Sequence, residues 1–422
     1  MVKKYSNSSV LIAALICIIL IYSGLIKVKD PDTFFSLIPT SQVEKLKGQL
    51  LSSPAKSADG KFYSAKMKVW YAYGSRAGSS AGGNVLVYIP SALAEAYFPG
   101  KLYSKAVKKG NGKGHLWEAG GRYFIKGSFN QEGKNFYISE CLFSDFPKTL
   151  YGSFDYFRAL CRLQFKRLMY SWGAAGGLLL ALLCGAKEYT SLDISSAFRN
   201  AGLSHILALS GMHLSMFSGI ALFFGKKIGR KKLSFIIRII ALILFVWFAG
   251  LSPSLLRAFI CSLLMIIAAL ANVKKPDMLM ILAFSFLCQT IIAPEHLFNT
   301  GFILSYSALA GILIFNKFFQ QLYMKFLPGY FANSLASSTG AQIFTAPLSL
   351  GLFGSFAPIG IIATSIVSPF VTIFIYSGLA LIILCLFIPP LALPSGIFIN
   401  LQYTIINFLV AFFSKAIVWR IN

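Results

Sequence analysis

The chain has 422 residues, 56% hydrophobic and only 13% charged, with a mean hydropathy of +0.68. An ordinary soluble domain is about 25% charged, so this composition excludes a soluble enzyme or a disordered chain and predicts a polytopic α-helical membrane protein. Lys and Arg number 39 against 14 Asp and Glu, and the net charge of +25 calls for an anionic partner, an anionic lipid surface, or both.

Lys3 and Lys4 precede an apolar run from Val10 to Ile26. A signal peptide has the same outline, but no small-x-small cleavage site closes the run. Residues 1–26 therefore read as an uncleaved membrane anchor, with the N-terminus cytoplasmic by the positive-inside bias. Residues 27–150 change character: polar residues, Gly and aromatics alternate, and no run is long enough to span. Residues 45–50, 62–73, 84–89, 122–126 and 135–138 read as strands separated by Gly, Ser and Asn clusters. Five short strands suit a small antiparallel barrel, and the anchor places it outside the cytoplasm.

From Lys27 to Ser171 there are 22 Lys and Arg against 10 Asp and Glu, so +12. Positive-inside bias does not account for charge on a long translocated domain. Two readings of this charge stay open. A Lys-rich surface beside anionic headgroups is the more economical. The other is a barrel that holds single-stranded nucleic acid by phosphate contact and stacking, with Lys66, Lys68, Arg122 and Lys126 as candidate contacts. Residues 151–171 interleave Phe154, Phe157, Leu160 and Phe165 with Arg158, Arg162, Lys166 and Arg167, which suits a basic amphipathic helix lying in the membrane interface.

Residues 172–422 read as a polytopic membrane domain. Apolar runs lie at 172–185, 203–224, 233–251, 255–271, 278–293, 300–316, 340–388 and 395–413. The loop Lys226, Lys227, Arg230, Lys231 and Lys232 marks a cytoplasmic side, and Lys274, Lys275, Lys317 and Lys325 follow with the same sidedness. The run 172–185 is too short to span and is expected to be re-entrant or interfacial. The run 340–388 must hold at least two segments, broken near Pro347, Gly354, Pro358 or Pro369.

Ionisable and polar groups inside these runs are the functional candidates. The densest stretch holds Arg199, Asn200, Ser204, His205, Ser210, Gly211 and His213. On one helix Ser210 and His213 share a face, and Ser215 and Ser218 form a second pair. His213 either faces a cavity or is a hydrogen-bonded packing residue. Arg257, just after Ser252-Pro253, either lines an aqueous path and meets phosphate, or caps a broken helix, or snorkels outward. Arg238 reads as a snorkelling cation. Ser305 and Gln342 add polar positions later. A Ser and a His invite an intramembrane protease, but Ala208-Leu209-Ser210-Gly211 replaces the Gly-x-Ser-Gly of rhomboid-type enzymes, and a base on the same helix is poorly aimed. The seven cysteines show no CxxC or Cys/His spacing, so neither disulfide framework nor metal site is expected. No GxxxxGK[ST] motif occurs, and no cofactor is expected.

The stretch Phe198-Arg199-Asn200-Ala201-Gly202-Leu203-Ser204-His205-Ile206-Leu207-Ala208-Leu209-Ser210-Gly211-Met212-His213 resembles the signature of the ComEC family, competence proteins that pass DNA across the inner membrane. Residues 249–258, Ala-Gly-Leu-Ser-Pro-Ser-Leu-Leu-Arg-Ala, resemble its second block. Phe302-Ile303-Leu304-Ser305-Tyr306-Ser307 and residues 340–347, Gly-Ala-Gln-Ile-Phe-Thr-Ala-Pro, resemble later ones, with Ile303 where Gln is common. The resemblance runs from about residue 150 to the end, and the barrel is similar to the family's oligonucleotide-binding (OB-like) domain. It implies a non-enzymatic inner-membrane channel passing single-stranded DNA inward during transformation. The implied partners are single-stranded DNA, membrane lipids, a separate nuclease, a DNA receptor and a cytoplasmic motor, with oligomerisation possible. Departures are a single span before the barrel, Cys141 alone where some members have paired Cys, and no HxHxDH-type motif of a metallo-β-lactamase-like domain. The alternatives are a transporter or lipid-handling protein on the same scaffold, an intramembrane serine hydrolase, or a remnant that transports nothing.

Overall fold

The computed structural model describes residues 9–23, 25, 34–57, 59–75, 77–96, 115–186, 190, 192–227, 231–273, 275–416 and 418–420. Lys3, Lys4, Arg230 and Lys274 of the topology argument lie outside these, as do the side chains of Lys226, Lys231 and Lys232. Helix α1 (Ser9–Tyr22) leads to strands β1 (Phe35–Ser36), β2 (Lys45–Leu50), β3 (Ala55–Lys56), β4 (Phe62–Tyr73), β5 (Gly78–Gly82) and β6 (Asn84–Pro90). The short helix α2 (Ser91–Ala94), β7 (Arg122–Phe129) and β8 (Asn135–Asp145) complete the N-terminal domain.

The five expected strands all form. The cause is the period-2 pattern: along β4, Tyr63, Ala65, Met67 and Val69 are buried, and Lys66 and Lys68 are exposed between them. Pairing runs β2–β4–β6–β8–β7 and back to β2, so the sheet closes on itself. All these pairs are antiparallel except β6–β8, where Leu86 to Tyr88 run parallel to Asn135 to Tyr137. This is the partly Greek-key five-stranded OB-like barrel. Its core holds Leu46, Leu50, Tyr63, Met67, Val87, Ile89, Tyr123, Ile125 and Phe136. Cys141 packs there as a free thiol, which burial pushes up to about 12.

Helix α3 (Leu150–Ser171) starts at Thr149, whose hydroxyl accepts from the Gly152 N–H at 3.1 Å. Tyr151, Phe154 and Phe157 are exposed on its outer side, while Arg162, Lys166 and Arg167 are buried on its inner side. Arg162, Lys166 and Arg167 therefore face the protein interior. Helix α4 (Gly173–Cys184) occupies the short run expected to be re-entrant or interfacial, and every residue from Ala175 to Cys184 is buried against the other helices. Twelve residues rise only about 18 Å, and this one is the centre of the helical core. The Trp172 indole N–H donates to the Ala392 carbonyl at 2.7 Å, and Asn400 donates to the Trp172 carbonyl at 3.1 Å, fixing its entry.

The remaining helices are α5 (Leu192–Asn200), α6 (Ser204–Leu207), α7 (Gly211–Lys227), α8 (Lys231–Ala249), α9 (Pro253–Leu270), α10 (Met278–Ile292), α11 (Thr300–Tyr323), α12 (Gly329–Phe353), α13 (Gly360–Phe387) and α14 (Ala392–Ser414). The run 203–224 is two helices, because Ala208 adopts an extended backbone (φ −82°, ψ 135°) between α6 and α7. The run 340–388 breaks at one place. Helix α12 continues through Pro347 and ends where Gly354 turns left-handed (φ 63°); α13 then runs through Pro369. In the break, strand β9 (Ser355–Phe356) pairs antiparallel with β10 (Trp419–Arg420).

Among the described residues, α9, α11, α13 and Pro389–Ser414 are long and apolar enough to cross a membrane. Ile240, Ile243 and Leu244 of α8, Ile373 and Ile383 of α13 and Phe408 and Phe412 of α14 form part of the exposed apolar surface such a bundle turns to lipid. Helix α1 packs Ala14 and Ile21 against Leu282 and Phe286, and the Tyr22 hydroxyl donates to the Leu297 carbonyl at 2.8 Å. The chain is thus a polytopic helical membrane protein with an N-terminal β domain.

Helices α11 and α12 approach with backbone in contact: a Cβ on Gly311 would lie 2.2 Å from the Gly340 carbonyl oxygen. Small residues permit this, and in lipid close packing is what holds helices together. Gly311→Val is expected to cost about 3 kcal/mol or more by overpacking. A lowered midpoint of thermal unfolding in detergent is the readout, and an unchanged midpoint would contradict the close crossing.

Candidate functional site

Three adjacent strands bring basic and aromatic residues onto one outer face of the barrel. Register places Lys68, Gln49 and Arg122 in one row across β4, β2 and β7. The next rows are Tyr71, Lys47 and Phe124, then Tyr73, Lys45 and Lys126. Lys47, Lys68, Tyr71, Arg122 and Lys126 are exposed. The Arg122 guanidinium lies over the Trp70 ring, 5.5 Å from its centre. Lys66 is exposed one step along β4, opposite Leu86. The four cations singled out from sequence therefore share this face. Lys45, Lys47, Trp70, Tyr71 and Phe124 join them, and only register shows it. Lys126 and Arg122 also face Glu140 and Asp145 on β8, which bounds the positive patch on that side.

The barrel is bolted to the helices by one buried carboxylate. Glu118 is 1% exposed; it accepts from Arg162 Nε at 3.1 Å, from Lys166 Nζ at 2.7 Å and from the Ser53 hydroxyl. Burial by itself raises the Glu118 carboxyl, but Arg162, Lys166 and these hydrogen bonds outweigh it and hold the group at about 2. Arg162 Nη1 also donates to the Phe248 carbonyl at the end of α8 at 2.8 Å, and Arg158 donates to the Ala119 carbonyl at 2.9 Å. Arg158, Arg162 and Lys166 of the basic helix are thus engaged in this junction.

Within the helices, the polar candidates separate into two groups. Ser210 lies one residue before α7, where its carbonyl accepts the Leu214 N–H at 3.5 Å, and it meets His213 from there. The Ser210 N–H donates to His213 Nδ1 at 3.3 Å, and the Ser210 hydroxyl is also 3.3 Å from that nitrogen. His213 is 1% exposed, and its Nε2 is buried without a partner. Gly211 opens α7 beside Arg257, itself 9% exposed. Arg257 Nη1 donates to the Ser305 carbonyl, and the guanidinium stands 6.0 Å from the centre of the Tyr306 ring. The Tyr306 hydroxyl donates to Gln289 Oε1 at 3.0 Å, and Gln289 Nε2 donates to the Pro253 carbonyl at 3.0 Å. Tyr306, Gln289 and Ser285 are buried partners that the sequence reading passed over; an amide alone in the apolar run of α10 was the available signal.

Other candidates are placed differently. Ser252 caps α9, its hydroxyl accepting from the Leu255 N–H at 3.3 Å. Arg199, Ser204 and His205 are exposed, and Asn200 is half-buried at the end of α5. Gln342 sits against Gly360, with its Oε1 buried and unpartnered. Ser215 is exposed and Ser218 buried, so they do not act as a pair; Ser218 accepts from Arg238 instead, joining α7 to α8.

A family model described as "Competence protein" matches residues 182–421, more than half of the chain. ComE operon protein 3 of Bacillus subtilis (strain 168) is 27% identical over 204 residues, 48% of this chain and 25% of that protein. An uncharacterized protein of Aquifex aeolicus (strain VF5) is 26% identical over 240 residues, 56% of this chain and 53% of that protein. The matches thus span about a quarter and about half of these curated relatives' lengths. No solved structure matches the chain.

Proposed function

The chain belongs to the competence protein family, and from that premise we propose that it passes single-stranded DNA through the cytoplasmic membrane into the cell. The observation that carries this reading is the β4–β2–β7 face, where cations and aromatic rings alternate in registered rows. Lys and Arg neutralise phosphates, and exposed rings stack on bases without regard to sequence. Lys66, Lys68, Arg122 and Lys126 collect the strand outside the membrane, with the N-terminus of the chain inside.

Arg199, Asn200, Ser204 and His205 then lead to a polar path at Ser210, Gly211, His213, Arg257, Ser305 and Gln342, with Ser252 holding the start of α9. Such a lining is required because bare phosphates do not enter hydrocarbon. The protein acts as a channel, not an enzyme, and uses an external energy source. A separate nuclease supplies one strand, a receptor delivers it and a cytoplasmic motor draws it in. A serine hydrolase is disfavoured by geometry: His213 Nδ1 already takes the Ser210 N–H, and no third group orients the ring from Nε2 among the described residues.

The test is binding of a fluorescent single-stranded oligonucleotide to the purified full-length chain in neutral detergent, across a salt series. Saturable binding that weakens steeply with salt supports the reading. Absence of binding at low salt removes it in favour of a lipid-handling or transport role on the same scaffold.

A further inference from the structure

We propose that the N-terminus of α7 and Arg257 of α9 together form a binding site for a single phosphate group. Arg257 is buried, yet among the described residues no carboxylate pairs with it. Its contacts are one carbonyl, that of Ser305, and the face of Tyr306; its Nε is buried with no partner. A guanidinium inside a membrane protein is costly without a counter-charge.

The position of this cation sharpens the problem. Arg257 Nη2 is aimed at the first residue of α7: a Cβ on Gly211 would lie 3.3 Å from it. The N-terminus of a 17-residue helix carries partial positive charge and N–H groups without intrahelical acceptors. A fixed cation against that end is electrostatically unfavourable, unless an anion beside them is shared by both. His213 adds a third donor on the same helical turn. Because its Nδ1 accepts the Ser210 N–H, the neutral ring carries its hydrogen on Nε2, which is buried and has no acceptor.

The buried unpartnered side-chain atoms of Arg257 and His213 are both donors, Nε and Nε2. A tetrahedral oxyanion offers several acceptor oxygens to such a set, as phosphates do at other helix N-termini. Gly211 lets Arg257 come close to the start of α7: a Cβ there would also lie 3.4 Å from the Ala258 Cβ. Arg257 also belongs to the proposed path, but binding of inorganic phosphate does not require strand passage, so the two readings fail separately.

The experiment uses the full-length chain in a maltoside detergent without added phospholipid. Inorganic phosphate is titrated against chloride at matched ionic strength, reading ³¹P line broadening and the thermal unfolding midpoint. The expected result is saturable broadening with a raised midpoint for phosphate only. Arg257→Met should abolish both. Should that variant not fold, Gly211→Ala decides: its methyl group fits with a small shift and should weaken phosphate binding on the order of tenfold by occupying the site. Displacement of phosphate by a short oligonucleotide assigns the site to strand phosphates, and displacement by phosphatidylglycerol micelles assigns it to a lipid headgroup. No saturable effect in the wild type, or wild-type affinity in a folded variant of either kind, overturns the proposal.

Discussion

Glu118→Gln is expected to destabilise the full-length chain by about 3–5 kcal/mol, the usual cost of leaving one side of a buried ion pair uncompensated. Here two cations lose a carboxylate partner together, because Arg162 and Lys166 both bind this carboxylate and are buried themselves. The loss should appear as a lower unfolding midpoint and as faster proteolytic separation of the barrel from the helices. Removing a cation as well should recover part of it: Glu118→Gln with Lys166→Met is expected to be more stable than Glu118→Gln alone. If the single variant unfolds at the wild-type midpoint, the junction is not what holds the barrel.

The same residue sets a pH dependence with a definite sign. Its carboxyl is lowered from an ordinary 4.5 to about 2 in the folded chain. The contribution is fully present above the unfolded value and is lost as pH falls from about 4.5 toward about 2. About 3 kcal/mol should disappear across that window. Glu118→Gln should flatten this acid limb, and an identical limb in the variant would assign it to other groups.

Replacing Lys66, Lys68, Arg122 and Lys126 together by Gln is expected to weaken single-stranded DNA binding by on the order of 10²- to 10³-fold near physiological salt. Each phosphate contact contributes about 0.7 to the slope of log affinity against log salt for a single strand, so four lost contacts should reduce that slope by about 3. Stability should change little, because all four side chains are exposed on the barrel's outer face. The aromatic rows give the complementary result. Tyr71→Ala with Phe124→Ala should lower affinity with the salt slope unchanged, since stacking releases no counterions. Equal salt slopes for wild type and the four-fold variant would place the strand elsewhere.

Much of this was legible in the amino-acid order, and the reason is local. Strands β2, β4, β6, β7 and β8 announce themselves because side chains alternate across a pleat, so Tyr63, Ala65, Met67 and Val69 mark one face with no knowledge of their partners. Apolar length likewise marked the spanning helices. The breaks were legible only in part. Pro347 and Pro369 are strong helix-breaking signals, yet α12 and α13 run through them, and the chain breaks at Gly354 instead. Local propensity sets a cost, but packing in the bundle decides whether the cost is met.

The sites lay beyond local order. Lys66, Lys68, Arg122 and Lys126 could be named as cations, but their gathering depends on β2 lying between β4 and β7. Glu118 drew no notice in sequence, being one acid among many cations; its partners Arg162 and Lys166 stand 44 and 48 residues away. Arg257 was marked by its rarity, whereas its contact with Gly211 required α7 to begin where Ala208 extends the chain. Composition and periodicity by themselves determined the membrane class, the β domain and its strands, because burial in lipid or in a barrel imposes a repeat on neighbouring residues. Only the tertiary structure decided which charges are neutralised and which are left facing open space, because Coulomb and hydrogen-bond energies depend on distances that no repeat encodes.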